Sequence, residues 1–388
     1  MKFKGAEKYI TNLATLEDRN ITERTKLLLS KLGEPQNRLK FIKIYGEAGK
    51  STTAHLLTQI LTAAKHRVGT LYLPLCSPLT NCLSVNRSPV SMDIFTRCVN
   101  EVSGAVSEIR SSHSDFNVGK DEILLSAAIL AFEKTGCDTA IIEVSSNFKY
   151  SAASAVNSVV AVITSVFSCE IANNICAAIG SNDGDIVSAI QNDAVSQIIS
   201  KRATEIDLKL LTLSMDSFYK LRSSVNSMRF IYNNTEYRAS SSASHNVFNY
   251  LTVIEVCNTL TRHKFKILPV NISSAFISPL YKGNFEILSV EPYIILNYAT
   301  TVTHLSAIRQ AISDIGTENI TILCEESDML MDIRNMFSDA HIVTCGINDI
   351  DREVKKLLKE LEGSSKLLAV GRMELIDRAR RAVKIAKV

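Results

Sequence analysis

The chain has 388 residues, with 43 Lys+Arg against 40 Asp+Glu and a formal net charge of +3 at pH 7. A balance this close gives no electrostatic argument for nucleic acid or an anionic membrane as partner. With 46% hydrophobic and 21% charged residues, it can bury large cores, and its length suggests two domains or three.

Cysteines stand at 76, 82, 98, 137, 169, 176, 257, 324 and 345, an odd set with no Cys-x-x-Cys pair. Several lie in apolar runs, which reads as buried, reduced thiols of a cytoplasmic protein. The first residues carry no apolar signal core, and the longest apolar runs, 123–132 and 159–167, are too short to span a bilayer.

In chain order, residues 6–33 read as helices, with Tyr9, Ile10 and Leu13 on one face and Thr25, Leu28, Leu29 and Leu32 on another. Gly33-Glu34-Pro35 stops the second. Phe41-Ile42-Lys43-Ile44-Tyr45 alternates as a strand, turns at Gly46-Glu47-Ala48-Gly49, and enters a helix with Leu56, Leu57, Ile60 and Leu61 on one face. Strand, glycine turn and helix opening on Lys50-Ser51-Thr52 make a phosphate cradle. The spacing is shorter than the common Gly-x-x-x-x-Gly-Lys-Ser/Thr, but the physics is the same. Gly46 and Gly49 allow backbone N–H groups close to phosphate oxygens, and the helix N-terminus adds donors and a favourable dipole. Lys50 supplies a point charge between the β- and γ-phosphates, and the Ser51 or Thr52 hydroxyl reaches Mg²⁺.

Further on, 66–72 reads as a short strand and 73–89, with three prolines, as an extended loop. Residues 92–110 and 118–135 read as helices, and 138–144 and 159–166 as buried strands. Strands alternating with helices imply a parallel sheet with ligands at the strands' carboxyl ends, where both Lys50 and Glu143 fall. A helix is expected near 185–201, a mobile loop at 238–245, and a helix over 246–262. The last stretch repeats the α/β pattern, with strands at 284–288, 293–296, 320–324, 341–344 and 366–370. The boundary is placed at Lys282-Gly283.

These residues resemble folylpolyglutamate synthase/dihydrofolate synthase, a branch of the Mur ligase family. The likeness runs through Leu32-Gly33-Glu34-Pro35-Gln36, the short P-loop 46–53, Glu122, Ile141-Ile142-Glu143-Val144, Val162-Ile163-Thr164-Ser165, 245–249, and Gly283-x-Phe285-Glu286. It implies a Mur-ligase-type P-loop ATPase domain with a mostly parallel sheet over 1–282, followed by a smaller Rossmann-like α/β domain over 283–388. It also implies an ATP- and Mg²⁺-dependent carbon–nitrogen ligase adding glutamate to a folate-type carboxylate through an acyl phosphate. Such a protein is expected to be a cytoplasmic monomer acting on small molecules. Lys50 and Glu143 are the catalytic candidates. Gly46, Glu47, Ala48, Gly49, Lys50, Ser51, Thr52 and Asn297 are the nucleotide ligands, and Ser51, Thr52 and Glu143 the metal ligands.

The departures from the family fall on its chemistry. A magnesium-ligand serine becomes Leu73-Pro74-Leu75, the glycine-rich run after Glu143 becomes 145–151, and an Asp-His aligns with Cys169-Glu170. The Asp-Gly-Ala-His-Asn motif becomes Asn297-Tyr298-Ala299-Thr300-Thr301, and the arginine after Gly283 becomes Asn284. They keep open an alternative: a catalytically impaired relative serving as a nucleotide-binding or partner-binding scaffold. His245 reads as a buried or capping histidine, and the basic residues of the last helix, Arg380 among them, as a solvated face.

Overall fold

The computed structural model describes residues 1–386 apart from 17, 74–77, 146–147, 214, 225–226, 242, 244–245, 280, 314–315, 317–318, 362 and 364. Two units emerge from the pattern of contacts. The first combines Met1–Met215 with Phe248–Ala275, the second Asp216–Val247 with Phe276–Val388.

The first unit begins with helices α1 (Phe3–Thr11) and α2 (Ile21–Lys31), strand β1 (Lys40–Tyr45) and helix α3 (Lys50–Ala63). Strands β2 (Val68–Leu71), β3 (Leu83–Val85) and β4 (Ser88–Pro89) precede helices α4 (Met92–Ser112) and α5 (Lys120–Lys134). Then come β5 (Thr139–Glu143), β6 (Ser158–Ile163), α6 (Cys169–Ala178), β7 (Asp185–Ser188), α7 (Asp193–Glu205) and β8 (Leu210–Thr212). The sheet order is β4-β3-β2-β5-β1-β6-β7-β8, parallel from β2 through β8, with β3 and β4 added as an antiparallel edge. β1 lies between β5 and β6, and its positions after Lys40 are all buried. β5 is buried throughout. Strands covered on both faces are apolar runs rather than alternating ones, which is why 139–143 and 158–163 were plain in the sequence.

The chain continues with β9 (Phe218–Ser224), β10 (Ser227–Tyr232), β11 (Thr235–Ala239), α8 (Asn246–Arg262) and α9 (Pro269–Phe276). The second unit holds β12 (Glu286–Val290), β13 (Tyr293–Tyr298), α10 (Val302–Ser313), β14 (Ile320–Glu325), α11 (Leu330–Met336), β15 (His341–Cys345), α12 (Ile350–Glu360), β16 (Lys366–Gly371) and α13 (Met373–Ala386). Its sheet runs β12-β13-β16-β14-β15, parallel except for β12. The expected architecture is therefore present: α/β, with a mostly parallel principal sheet in each unit.

Three local expectations change. Residues 185–188 are a strand, because Ile186 and Val187 fill the sheet interior. The helix starts only at Asp193, where Asn192 Oδ1 accepts the Val195 N–H at 3.0 Å. The loop expected from Arg238 onward begins inside a strand. β9, β10 and β11 form an antiparallel sheet, turned between β10 and β11 by Asn233 and Asn234, both at positive φ (47° and 58°), as a two-residue hairpin turn requires. Met228, Phe230 and Tyr232 are its buried face. Residues 242, 244 and His245 lie outside the described residues. Finally, Arg380 is buried rather than solvated. Its Nη2 donates to Glu286 Oε2 at 2.7 Å, and the same oxygen accepts the Gly283 N–H at 2.9 Å. Among the described residues no cysteine forms a disulfide, and no helix is long and apolar enough to cross a membrane.

Candidate nucleotide site

The site is built where β1 and β5 end and α3 begins. Gly46 (φ +132°) and Gly49 (φ +89°) take backbone conformations that side-chain-bearing residues rarely adopt. A Cβ on Gly46 would stand 2.1 Å from Thr164 Oγ1, and one on Gly49 2.2 Å from Asn249 Oδ1. Both positions therefore require glycine. The loop is pinned on its β6 side: the Glu47 and Ala48 N–H groups donate to the Ser165 carbonyl at 2.9 and 3.3 Å. Glu47 Oε2 accepts the Phe167 N–H at 2.6 Å, and Thr164 Oγ1 donates to the Tyr45 carbonyl at 3.0 Å. The first bond of α3 runs from Thr53 N to Gly49 O at 2.9 Å. The amides ahead of it belong to the first turn, where a helix has no carbonyl to offer and its dipole is positive.

Lys50 Nζ donates to the Gly46 carbonyl at 2.7 Å and lies 5.7 Å from the centre of the Phe148 ring. Burial lowers its pKa, while the charges of Glu143 and Glu47 oppose that shift. Glu143, the last residue of β5, is 2% exposed. Its two oxygens lie 3.0 and 2.9 Å from Ser51 Oγ, which donates to them, and Oε2 also accepts the Leu73 N–H at 3.1 Å. Burial pushes its pKa up to about 7, opposed by the Lys50 charge and by the bonds from Leu73 and Ser51.

The structure thus gathers Gly46, Glu47, Ala48, Gly49, Lys50, Ser51 and Glu143. Thr52 is buried in the same turn, but it is Ser51 that meets Glu143. Asn297 belongs to the second unit, where its Oδ1 accepts the Phe285 N–H at 2.6 Å and its Nδ2 donates to the Tyr298 carbonyl at 2.7 Å. Sequence reasoning missed Thr164 and Asn249 as walls of the glycine turn, and Phe148 beside Lys50. It also treated Leu73 as a lost side-chain ligand, whereas the backbone of Leu73 holds the carboxylate.

The donors suit a hard cation and a phosphate chain. Among the described residues no group of three or more His, Cys, Asp or Glu gathers as a metal cage. Mg²⁺ needs none, since it takes one or two carboxylates together with substrate phosphates and water. A buried carboxylate with a raised pKa beside a serine hydroxyl is a site short of positive charge, and a cation there would correct that.

No family model matches the chain. Folylpolyglutamate synthase of Lacticaseibacillus casei is 21% identical over 340 residues, covering 83% of this chain and 79% of that protein. The solved apo form of L. casei folylpolyglutamate synthase matches with a TM-score of 0.87 at 16% identity, over 99% of this chain and 100% of that one. Mycobacterium tuberculosis folylpolyglutamate synthase complexed with ADP matches with a TM-score of 0.83 at 17% identity, over 98% of each chain. By sequence over most of its length and by fold over nearly all of it, this chain is similar to the folylpolyglutamate synthases.

Proposed function

We propose that the chain is an ATP-dependent carbon–nitrogen ligase that joins glutamate to a folate-type carboxylate. The observation that carries this reading is the convergence of Lys50, Ser51 and Glu143 at the carboxyl ends of β1 and β5, inside a fold shared with folylpolyglutamate synthases. The γ-phosphoryl group passes to the acceptor carboxylate with release of ADP. The amine of glutamate then displaces phosphate, forming the amide bond.

Catalysis of this kind is mostly positioning and charge neutralisation. The first-turn amides of α3 and Lys50 Nζ hold the β- and γ-phosphates, and Lys50 is already stretched across the loop by its bond to Gly46 O. Ser51, Thr52 and Glu143 would hold Mg²⁺, which, when bound, neutralises charge on the phosphates. Ser51 and the Leu73 N–H keep the Glu143 carboxylate oriented. The lack of disulfides among the described cysteines agrees with a reducing, cytoplasmic setting, and the reading takes the protein as a monomer acting on small molecules. The scaffold alternative rests on the departures around the cradle, not on its centre, where the glycines, lysine, serine and carboxylate are all in register.

The test is ADP release from Mg·ATP in the presence of a folate-type acid and L-glutamate, with mass spectrometry of the acceptor. Addition of one glutamyl group, lost in Lys50→Ala, is the expected result. ADP that never exceeds background with any folate-type acid would overturn the ligase reading and favour the scaffold.

A further inference from the structure

Lys50 is a half-buried lysine whose ammonium has an incomplete set of partners. One of its three N–H donors goes to the Gly46 carbonyl, and among the described residues no carboxylate approaches it within ion-pair distance, Glu143 and Glu47 acting only through space. What faces it is an aromatic ring. Phe148 is 1% exposed, its centre lies 5.7 Å from Nζ, and its ring also packs against the Tyr45 ring, with centroids 6.3 Å apart and the planes tilted at 51°. Tyr45 is the last residue of β1, immediately ahead of Gly46. The end of the strand, the ring and the lysine are therefore packed together beside the phosphate cradle.

We infer that Phe148 is a positioning residue for the P-loop lysine, its ring face holding Lys50 Nζ extended over the loop before nucleotide arrives. The negative face of an aromatic ring attracts an ammonium, more strongly where water is excluded. That attraction uses no N–H donor, so the two not given to Gly46 remain for phosphate oxygens. A lysine side chain fixed in advance also loses less rotamer freedom when the anion binds. The run 145–151 stands where the resemblance places glycines, and a glycine offers no ring. Phe148 is this chain's own way of holding the lysine. The inference deepens the ligase reading and rests on it for its consequence in nucleotide affinity, but not for the geometry of the ligand-free protein.

Two measurements test it. In the ligand-free full-length protein labelled at lysine Cε, the Lys50 resonance, assigned by its absence in Lys50→Ala, is expected to be displaced by the ring current. Phe148→Leu should return it to the range of the other lysines, and Phe148→Tyr should keep it displaced. A Lys50 signal that ignores Phe148→Leu overturns the inference. In calorimetric titration with Mg·ATP, Phe148→Leu should weaken binding roughly 3- to 30-fold, and Phe148→Tyr should stay within about twofold of wild type. In a Lys50→Met background the leucine substitution should have no further effect. An equal loss in that background, or a tyrosine variant as weak as leucine, would show that Phe148 only fills space. Phe148→Met serves if the leucine variant is unstable. A wild type that displays the ring-current shift yet binds no Mg·ATP sinks the ligase reading and leaves this one standing.

Discussion

Lys43 and Lys50 belong to the same stretch of chain, one buried inside β1 and the other half-buried at the start of α3, and their surroundings are opposite in kind. Lys43, 1% exposed, donates to the Val156 carbonyl at 3.0 Å and to Asp183 Oδ2 at 2.9 Å. Asp183 is itself saturated by Ser158 N and Oγ at 2.7 and 2.8 Å and by Gly180 N at 3.0 Å. Burial lowers the Lys43 pKa and Asp183 opposes the shift. Nothing is left for a ligand to satisfy. Lys50 meets one carbonyl and a ring face, and the Glu143 carboxylate, which acts on it through space, is occupied by a serine and a backbone amide. A closed pair is a structural fastening, whereas an open one is a binding site.

Breaking the closed pair should produce the largest effect. Asp183→Ala leaves a buried ammonium and three donors without their acceptor, and it should cost about 3–5 kcal/mol in urea unfolding. Replacing both partners, as Lys43→Met with Asp183→Leu, should recover much of that. If the single substitution costs under 1 kcal/mol, Lys43 is not the fastening its bonds suggest.

Opening the other site further should leave the fold alone and remove its ligand. Lys50→Ala should change unfolding stability by less than about 1 kcal/mol, since it deletes a charge that burial already disfavours. It should weaken Mg·ATP binding by about 2–3 kcal/mol, the scale of a charged hydrogen bond, read by calorimetry. A variant that unfolds readily instead would place Lys50 in the same class as Lys43.

Glu143 sharpens the contrast through pH. Its pKa is raised from 4.5 to about 7, so the folded protein holds this proton more tightly than the unfolded chain does. The group's contribution to stability is therefore fully present below pH 4.5 and is lost as pH rises to about 7. Glu143→Gln removes the charge while keeping an acceptor for Ser51 and Leu73. It should match wild type near pH 5 and exceed it by about 1–3 kcal/mol at pH 8, while losing Mg·ATP affinity. Unfolding curves at the two pH values decide it, and a variant less stable at pH 8 would contradict the sign.

How much of this was legible follows from where the information sits. The cradle was readable because two glycines, a lysine and a serine are adjacent in sequence, and the sheet because its strands are apolar runs. Lys43 was not. In Phe41-Ile42-Lys43-Ile44-Tyr45 it looks like the exposed member of an alternating strand, but a strand covered on both faces has no exposed member. Its partner Asp183 lies 140 residues away. The role of Leu73 is carried by a backbone N–H and leaves no trace in side-chain chemistry. The hairpins of 218–239 were hidden because they overlap a Ser/Asn-rich stretch, 223–246, that reads as loop, although Asn233-Asn234 between alternating apolar residues was the available signal.

Tyr45 lies between the two environments and gives the smallest and most discriminating test. It is fully buried, its ring packs against Phe148, and its hydroxyl has no hydrogen-bond partner among the described residues. Burial pushes the phenol well above its ordinary pKa, and the charge of Asp183 adds to that. A hydroxyl kept from water without a partner is a net cost. Tyr45→Phe keeps the ring under Phe148 and deletes only that cost, so it should stabilise the fold by up to about 1 kcal/mol and leave the Lys50 resonance where it was. A loss of stability would instead mean that the hydroxyl is bonded through an internal water, tying the rings beside Lys50 into the polar network of Lys43 and Asp183.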